Sequence, residues 1–145
     1  MIAILRAIAG IILGTIVAFV LIIAVELFSS VVYPIPAGLE QTMENICKHV
    51  ENYPAWVLAA VIPMWAATVF LSTWIAGKIG NIVPAMVVGL LLLAAVIFNM
   101  SMLPYPLWLE LANLVMFPLA IVAGSWLSLP RRSALQKAKA ATVQS

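Results

Sequence analysis

Two carboxylates and two carboxamides fall at one depth of an otherwise apolar chain, and they have the most chemistry to offer. Glu26 lies about six residues, roughly 9 Å of helix, before the far end of the first apolar run. Glu110 lies about four residues into the last run, and Asn99 about four residues before the end of the third. Asn113 is at i+3 from Glu110, on the same face of a helix. Ser29, Ser30 and Ser101 lie just beyond this layer. No Lys or Arg shares it, so neither carboxylate has a countercharge there. An acid at mid-membrane costs about 2.5–3.5 kcal/mol on insertion scales, so it should face protein or water. The layer of Glu26, Asn99, Glu110 and Asn113 is therefore a candidate proton or cation site. The same four side chains also describe an interhelical hydrogen-bond cluster, worth about 0.6 kcal/mol per bond.

Other chemistry is scarce. Cys47 and His49 are the sole cysteine and histidine. A spacing of two sends them to different faces of a helix, which argues against a paired nucleophile site. One cysteine allows no intrachain disulfide, the pair is too small a ligand set for a metal, and one histidine cannot supply two axial haem ligands. No Walker loop, HExxH or GxSxG occurs. The expectation is a protein with no catalytic residues, no metal and no cofactor. A net charge of +2, carried mostly by a short tail, is too little for a nucleic-acid surface.

These side chains must be positioned by elements that live in lipid. The chain has 145 residues, 66% of them hydrophobic and 8% charged, with a mean hydropathy of +1.18. Soluble domains are about half apolar and a quarter charged. A bilayer core of about 30 Å takes roughly 20 apolar residues of helix. Four segments meet that length, at about 7–32, 55–76, 82–103 and 106–129. Continuous apolar runs exclude the alternating pattern of a transmembrane barrel. The first run follows Arg6 but is too long for a signal-peptide core and lacks an Ala-x-Ala site, so it is read as a retained helix. The expected fold is all-α, an integral membrane four-helix up-down bundle over residues 1–130, followed by a basic tail at 131–145.

If the helices alternate, Arg6, Lys78, Arg131, Arg132, Lys137 and Lys139 share one side. Lys48 lies on the other with Glu40, Glu44 and Glu51. The positive-inside rule then makes both termini cytoplasmic, in a cell inner (plasma) membrane. The tail can touch anionic headgroups at about 1 kcal/mol per basic residue, or serve only as a topology determinant.

The loop from Tyr33 to Pro54 opens as an extended exit, Tyr33-Pro34-Ile35-Pro36, that ends in a turn at Gly38. Leu39, Met43, Ile46, Cys47 and Val50 then recur on one face, which predicts a short amphipathic helix lying on the outer surface. It would act as a lid over the bundle, or simply hide apolar surface. Gly77-Lys78-Ile79-Gly80-Asn81 and Leu103-Pro104-Tyr105-Pro106 are short links, so successive helices are antiparallel neighbours. Tyr33, Tyr53, Trp56, Tyr105 and Trp108 form an outer interfacial belt, with Trp74 and Trp126 toward the inner one.

Lipid tails are as apolar as leucine, so the helices associate by close approach at small residues. Gly10 with Gly14, Ala85 with Gly89, and Ala120 with Gly124 are small-xxx-small pairs that serve packing within the chain or between copies. Pro63 and Pro118, inside the second and fourth spans, each remove a helical hydrogen bond and favour a kink.

Tyr33-Pro34-x-Pro36-x-Gly38, Asn99 and Leu103-Pro104-x-Pro106-x-Trp108 together resemble a group of small four-helix bacterial membrane proteins. The resemblance runs from the first helix to the fourth. A histidine often stands in that group where this chain has Tyr105, and a more glycine-rich stretch where it has Trp65, Ala66 and Ala67. The group has no assigned activity, so the resemblance implies topology alone. The leading expectation is a non-enzymatic structural or accessory membrane subunit. Its partners are the lipid bilayer and either further copies of itself or a larger membrane protein. The alternative is a small proton- or cation-coupled carrier or channel using the Glu26/Glu110 pair.

Overall fold

In a computed structural model, residues 1–36, 38, 40 and 42–129 are described, and all regular structure among them is helical. The order is α1 (Ile2–Val32), α2 (Met43–Glu51), α3 (Ala55–Ile79), α4 (Ile82–Met102) and α5 (Leu107–Ser128). Helices α1, α3, α4 and α5 are each long and apolar enough to cross a membrane. The basic tail at 131–145 lies outside the described residues.

Two helices are longer than the sequence suggests. α1 begins at Ile2, so Arg6 sits inside it rather than ahead of it; Ile2, Ala3, Ile4 and Leu5 simply extend the apolar run. Its 31 residues give about 46 Å of helix, more than a bilayer core requires. α3 runs on to Ile79, through residues read as a link. Gly77 is buried in that last turn, where a Cβ would fall on the Ser128 side chain and within 3.2 Å of Ala85 Cβ. Its glycine serves helix contact rather than a turn. Only Gly80 and Asn81 then join α3 to α4, and Asn81 Oδ1 accepts from the Val83 amide at 2.8 Å to cap α4.

α3 is the hub. It packs against α1, α4 and α5; α1 also meets α4, α4 also meets α5, and α1 and α5 do not pack together. The small-residue pairs are used inside this one chain. On α1, Gly10, Gly14 and Ala18 form a buried stripe at i, i+4, i+8. A Cβ on Gly10 would lie 2.7 Å from the Ala76 carbonyl, and one on Gly14 would lie 3.0 Å from that of Ser72. On α4, Gly89 lies against Ile121 and Thr73, and Ala85 is fully buried. On α5, Gly124 packs on Thr73 and on the Phe70 carbonyl. Backbones approach this closely only where no side chain intervenes.

The polar residues of this packed half satisfy themselves locally. Thr68, Ser72 and Thr73 are buried on α3 and donate to the carbonyls of Met64, Thr68 and Val69 at 2.7–2.9 Å. Such back-bonding lets a hydroxyl enter an apolar interface without a partner helix. Pro63 and Pro118 lie on exposed faces, and both helices continue through them.

α2 is a short helix at the opposite end from Gly10, Gly77 and Ser128. Thr42 Oγ1 accepts from the Asn45 amide at 3.4 Å, and Lys48 pairs with Glu44 at 2.6 Å on the exposed face. That contact holds the Glu44 carboxyl below its usual range and the Lys48 amine above its own. Val50 is buried, whereas Met43 is exposed.

Candidate functional site

From the middle of the bundle to the terminal end, the helices touch through glycine, alanine and small polar residues. Toward α2 they separate. Between them lies a cavity of about 320 Å³, bounded by the α2-proximal ends of all four long helices and by α2 itself. This is within the range of small-ligand pockets. It occupies the position where α1 and α5 fail to meet.

Three of the four layer residues line it: Glu26 from α1, Asn99 from α4 and Asn113 from α5. Glu110 is half-buried and is not among the described lining residues, so the two carboxylates do not share this cavity. Neither Pro63 nor Pro118 lines it. Glu26 is exposed at its edge, and among the described lining residues it is the one carboxylate, with no Lys or Arg.

Asn113 is the most confined polar group. Its side chain is 4% exposed. Nδ2 donates to the Leu109 carbonyl at 3.1 Å, a carbonyl of its own helix, while Oδ1 is buried without a partner. A buried amide oxygen left unpaired costs about 1–3 kcal/mol.

The roof is aromatic. Tyr33, the C-cap of α1, stacks on His49 of α2 with ring centroids 4.6 Å apart, and Tyr53 stands 4.9 Å from Tyr33 and 5.2 Å from His49. His49 Nε2 lies 3.3 Å from the Tyr33 carbonyl. Tyr105, on the link into α5, also lines the cavity, and Trp65 of α3 lies deeper, its ring 6.3 Å from that of Phe117. His49 is thus part of the site rather than a free surface residue, and the three tyrosines are wall rather than belt alone.

One sequence signal would have found them. Every tyrosine in the chain precedes a proline, as Tyr33-Pro34, Tyr53-Pro54 and Tyr105-Pro106, and Tyr-Pro-x-Trp occurs twice. Pro54 and Pro106 are the N-caps of α3 and α5, with φ of −58° and −67°. The residue before a proline is held extended, so Tyr53 and Tyr105 are fixed just outside a helix start, while Tyr33 caps the end of α1. Trp56 and Trp108, on the first turn of each helix, are exposed.

The carboxylate leaves its mark on these phenols. Burial, then the nearby Glu26 charge, then Tyr53, pushes Tyr105 up to about 12 from an ordinary value near 10. Burial and then Glu26 raise Tyr53 as well, with neighbouring Ser29 working the other way. The phenols therefore stay neutral beside the acid. The folded chain keeps the Tyr105 proton between about pH 10 and 12, where an unfolded chain gives it up. Stability is accordingly full below pH 10 and falls as pH rises through that window. A phenolate absorbance titration should show a component with a midpoint near 12 that is missing in Tyr105→Phe. A wild-type curve complete by pH 11 would refute this burial.

Among the described residues, no group of three or more His, Cys, Asp or Glu side chains is arranged to hold a metal. Comparison of the whole chain with protein-family models, with curated proteins and with solved structures finds no match to any of them.

Proposed function

We propose that the chain is a non-enzymatic, multi-pass accessory protein of the cell inner membrane, with both termini cytoplasmic and α2 an amphipathic lid on the outer surface. The observation that carries this reading is the division of the bundle into a packed half and a hollow half. The cavity reaches inward as far as Trp65, Val96 and Asn113. Beyond it, α1, α3, α4 and α5 are in contact through Gly10, Gly14, Gly89 and Gly124. A chamber that ends blindly suits holding rather than passing. The broad apolar faces of α1 and α5, exposed at Ile12, Phe19, Leu111 and Leu119 among others, are available to lipid or to a larger partner.

The carrier reading draws support from Glu26 alone. Its second carboxylate, Glu110, lies off the chamber wall, and any through-path would have to be completed by other copies.

The test is the mass of the complex released from its native membrane without detergent exchange. A second protein at fixed stoichiometry is the expected result. A closed homo-oligomer whose pH-dependent flux disappears in Glu26→Gln would overturn the accessory reading in favour of the carrier.

A further inference from the structure

We infer that the chamber beneath α2 is a binding site for a monovalent organic cation, a protonated amine carrying apolar substituents. The inference goes beyond the accessory reading and does not depend on it, since it concerns side chains of this chain alone.

Four features of the wall converge on that ligand class. Charge comes first: Glu26 is the sole carboxylate among the described lining residues, and none of those residues is Lys or Arg. A carboxylate at this depth is costly unless something positive approaches it. The aromatic faces come second. Tyr33, Tyr53, Tyr105 and Trp65 surround the same space, and aromatic faces attract ammonium groups, the more so when water is excluded. Third, Asn99 and Asn113 add uncharged amide side chains to the wall, which suit a guest with a polar N–H. Fourth, the remaining wall is aliphatic, including Val61, Val96 and Leu109, which suits the substituents of such a cation.

Anions and neutral apolar ligands fit less well. An anion would face Glu26 with no base but His49 to answer it. A purely apolar guest would leave the Glu26 carboxylate unanswered. The titratable groups facing the chamber are Glu26, His49, Tyr33, Tyr53 and Tyr105. Burial and Glu26 disfavour the anions of Tyr53 and Tyr105. The ammonium can come from a free amine or from the headgroup of a zwitterionic lipid; both present the same chemistry to the wall.

The experiment uses the full chain in lipid nanodiscs near neutral pH. Its probes are N,N-dimethylbenzylamine, protonated under these conditions, and isobutylbenzene, its uncharged carbon counterpart. The expected result is saturable binding of the amine, at least about tenfold tighter than that of the hydrocarbon. Glu26→Gln should weaken amine binding by about tenfold and leave the hydrocarbon unchanged. Tyr105→Phe, which keeps the ring, should bind like wild type, and Tyr105→Ala should lose about threefold to thirtyfold. Two lipid compositions separate the sources. Weaker amine binding in phosphatidylcholine discs than in discs of an uncharged glycolipid, which has neither an ammonium nor a surface charge to concentrate the probe, would identify the headgroup as a competing ligand. Equal binding would point to a free amine.

Equal or tighter binding of isobutylbenzene by the wild type would overturn the proposal, as would no saturable binding of the amine in either lipid. If Glu26→Gln fails to fold, the wild-type comparison of charged and uncharged probes still decides.

Discussion

In Gly124→Leu, α5 comes away from α3. The Cβ that the substitution introduces falls on the Thr73 hydroxyl and 2.6 Å from the Phe70 carbonyl. Thr73 Oγ1 is itself held by the Val69 and Phe70 carbonyls at 2.8 and 3.0 Å, so it cannot rotate away without giving up both. Overpacking in a core costs about 1–3 kcal/mol, and more where backbone must move. Here one obstacle is backbone and the other is a hydroxyl fixed by two hydrogen bonds, so the loss should reach about 3 kcal/mol. No hydrophobic gain offsets it, because leucine is equally at home in lipid. Ala123→Leu is the control, since Ala123 is exposed one residue away; it should stay within about 0.5 kcal/mol of wild type. Unfolding midpoints of the three proteins in mixed micelles test the pair. Equal midpoints for Gly124→Leu and Ala123→Leu would mean that the α3–α5 contact is not made at this residue.

Asn113→Leu should change stability in the opposite direction. The wild-type side chain leaves Oδ1 buried and unpaired, and its one hydrogen bond goes to a carbonyl of its own helix. Removing an unsatisfied buried acceptor recovers the desolvation it cost, about 1–2 kcal/mol. The larger side chain has the adjoining cavity to extend into. The variant should therefore unfold later than wild type while binding dimethylbenzylamine less well. Sites that hold ligands often carry such local instability. Unfolding of Asn113→Leu before the wild type, by 1 kcal/mol or more, would show that Oδ1 already has a partner.

The four long helices, each apolar enough to cross a membrane, could be read directly from the chain, because length and continuous hydropathy are one-dimensional properties. The use of Gly10, Gly14, Gly89 and Gly124 as contact points was also legible, although whether they join one chain or two was not. What failed was direction around a helix. Glu110 and Asn113 are three residues apart, about 60° around the helix axis. That is enough to bury one in the chamber wall and leave the other beside it. The tyrosines failed for a similar reason. A tyrosine at a membrane boundary has the same sequence signature whether its ring lies among headgroups or turns inward over a cavity. Only the recurrence of Tyr-Pro at three helix ends separates the two, and that pattern follows from backbone geometry, not hydropathy. Gly77 misled in another way: a Gly-Lys-Ile-Gly-Asn stretch reads as a link, but the task of its first glycine is to admit the Ser128 side chain.

The place of α3 as hub also sets an order of assembly. The partners of the Gly10–Gly14–Ala18 stripe are on α3 and α4, at Ser72, Ala76 and Val88 among others. At about 5–20 residues per second, a ribosome completes α1 several seconds before it delivers those partners. During that interval α1 sits in the bilayer with its glycine face open. It is the most apolar of the four long helices, and so the one best able to wait alone. α5, which carries the buried Asn113, Ser125 and Ser128, follows the other three and finds helices already there to shelter it. The division of polarity among the helices thus doubles as a schedule for synthesis, with the most lipid-tolerant segment made first.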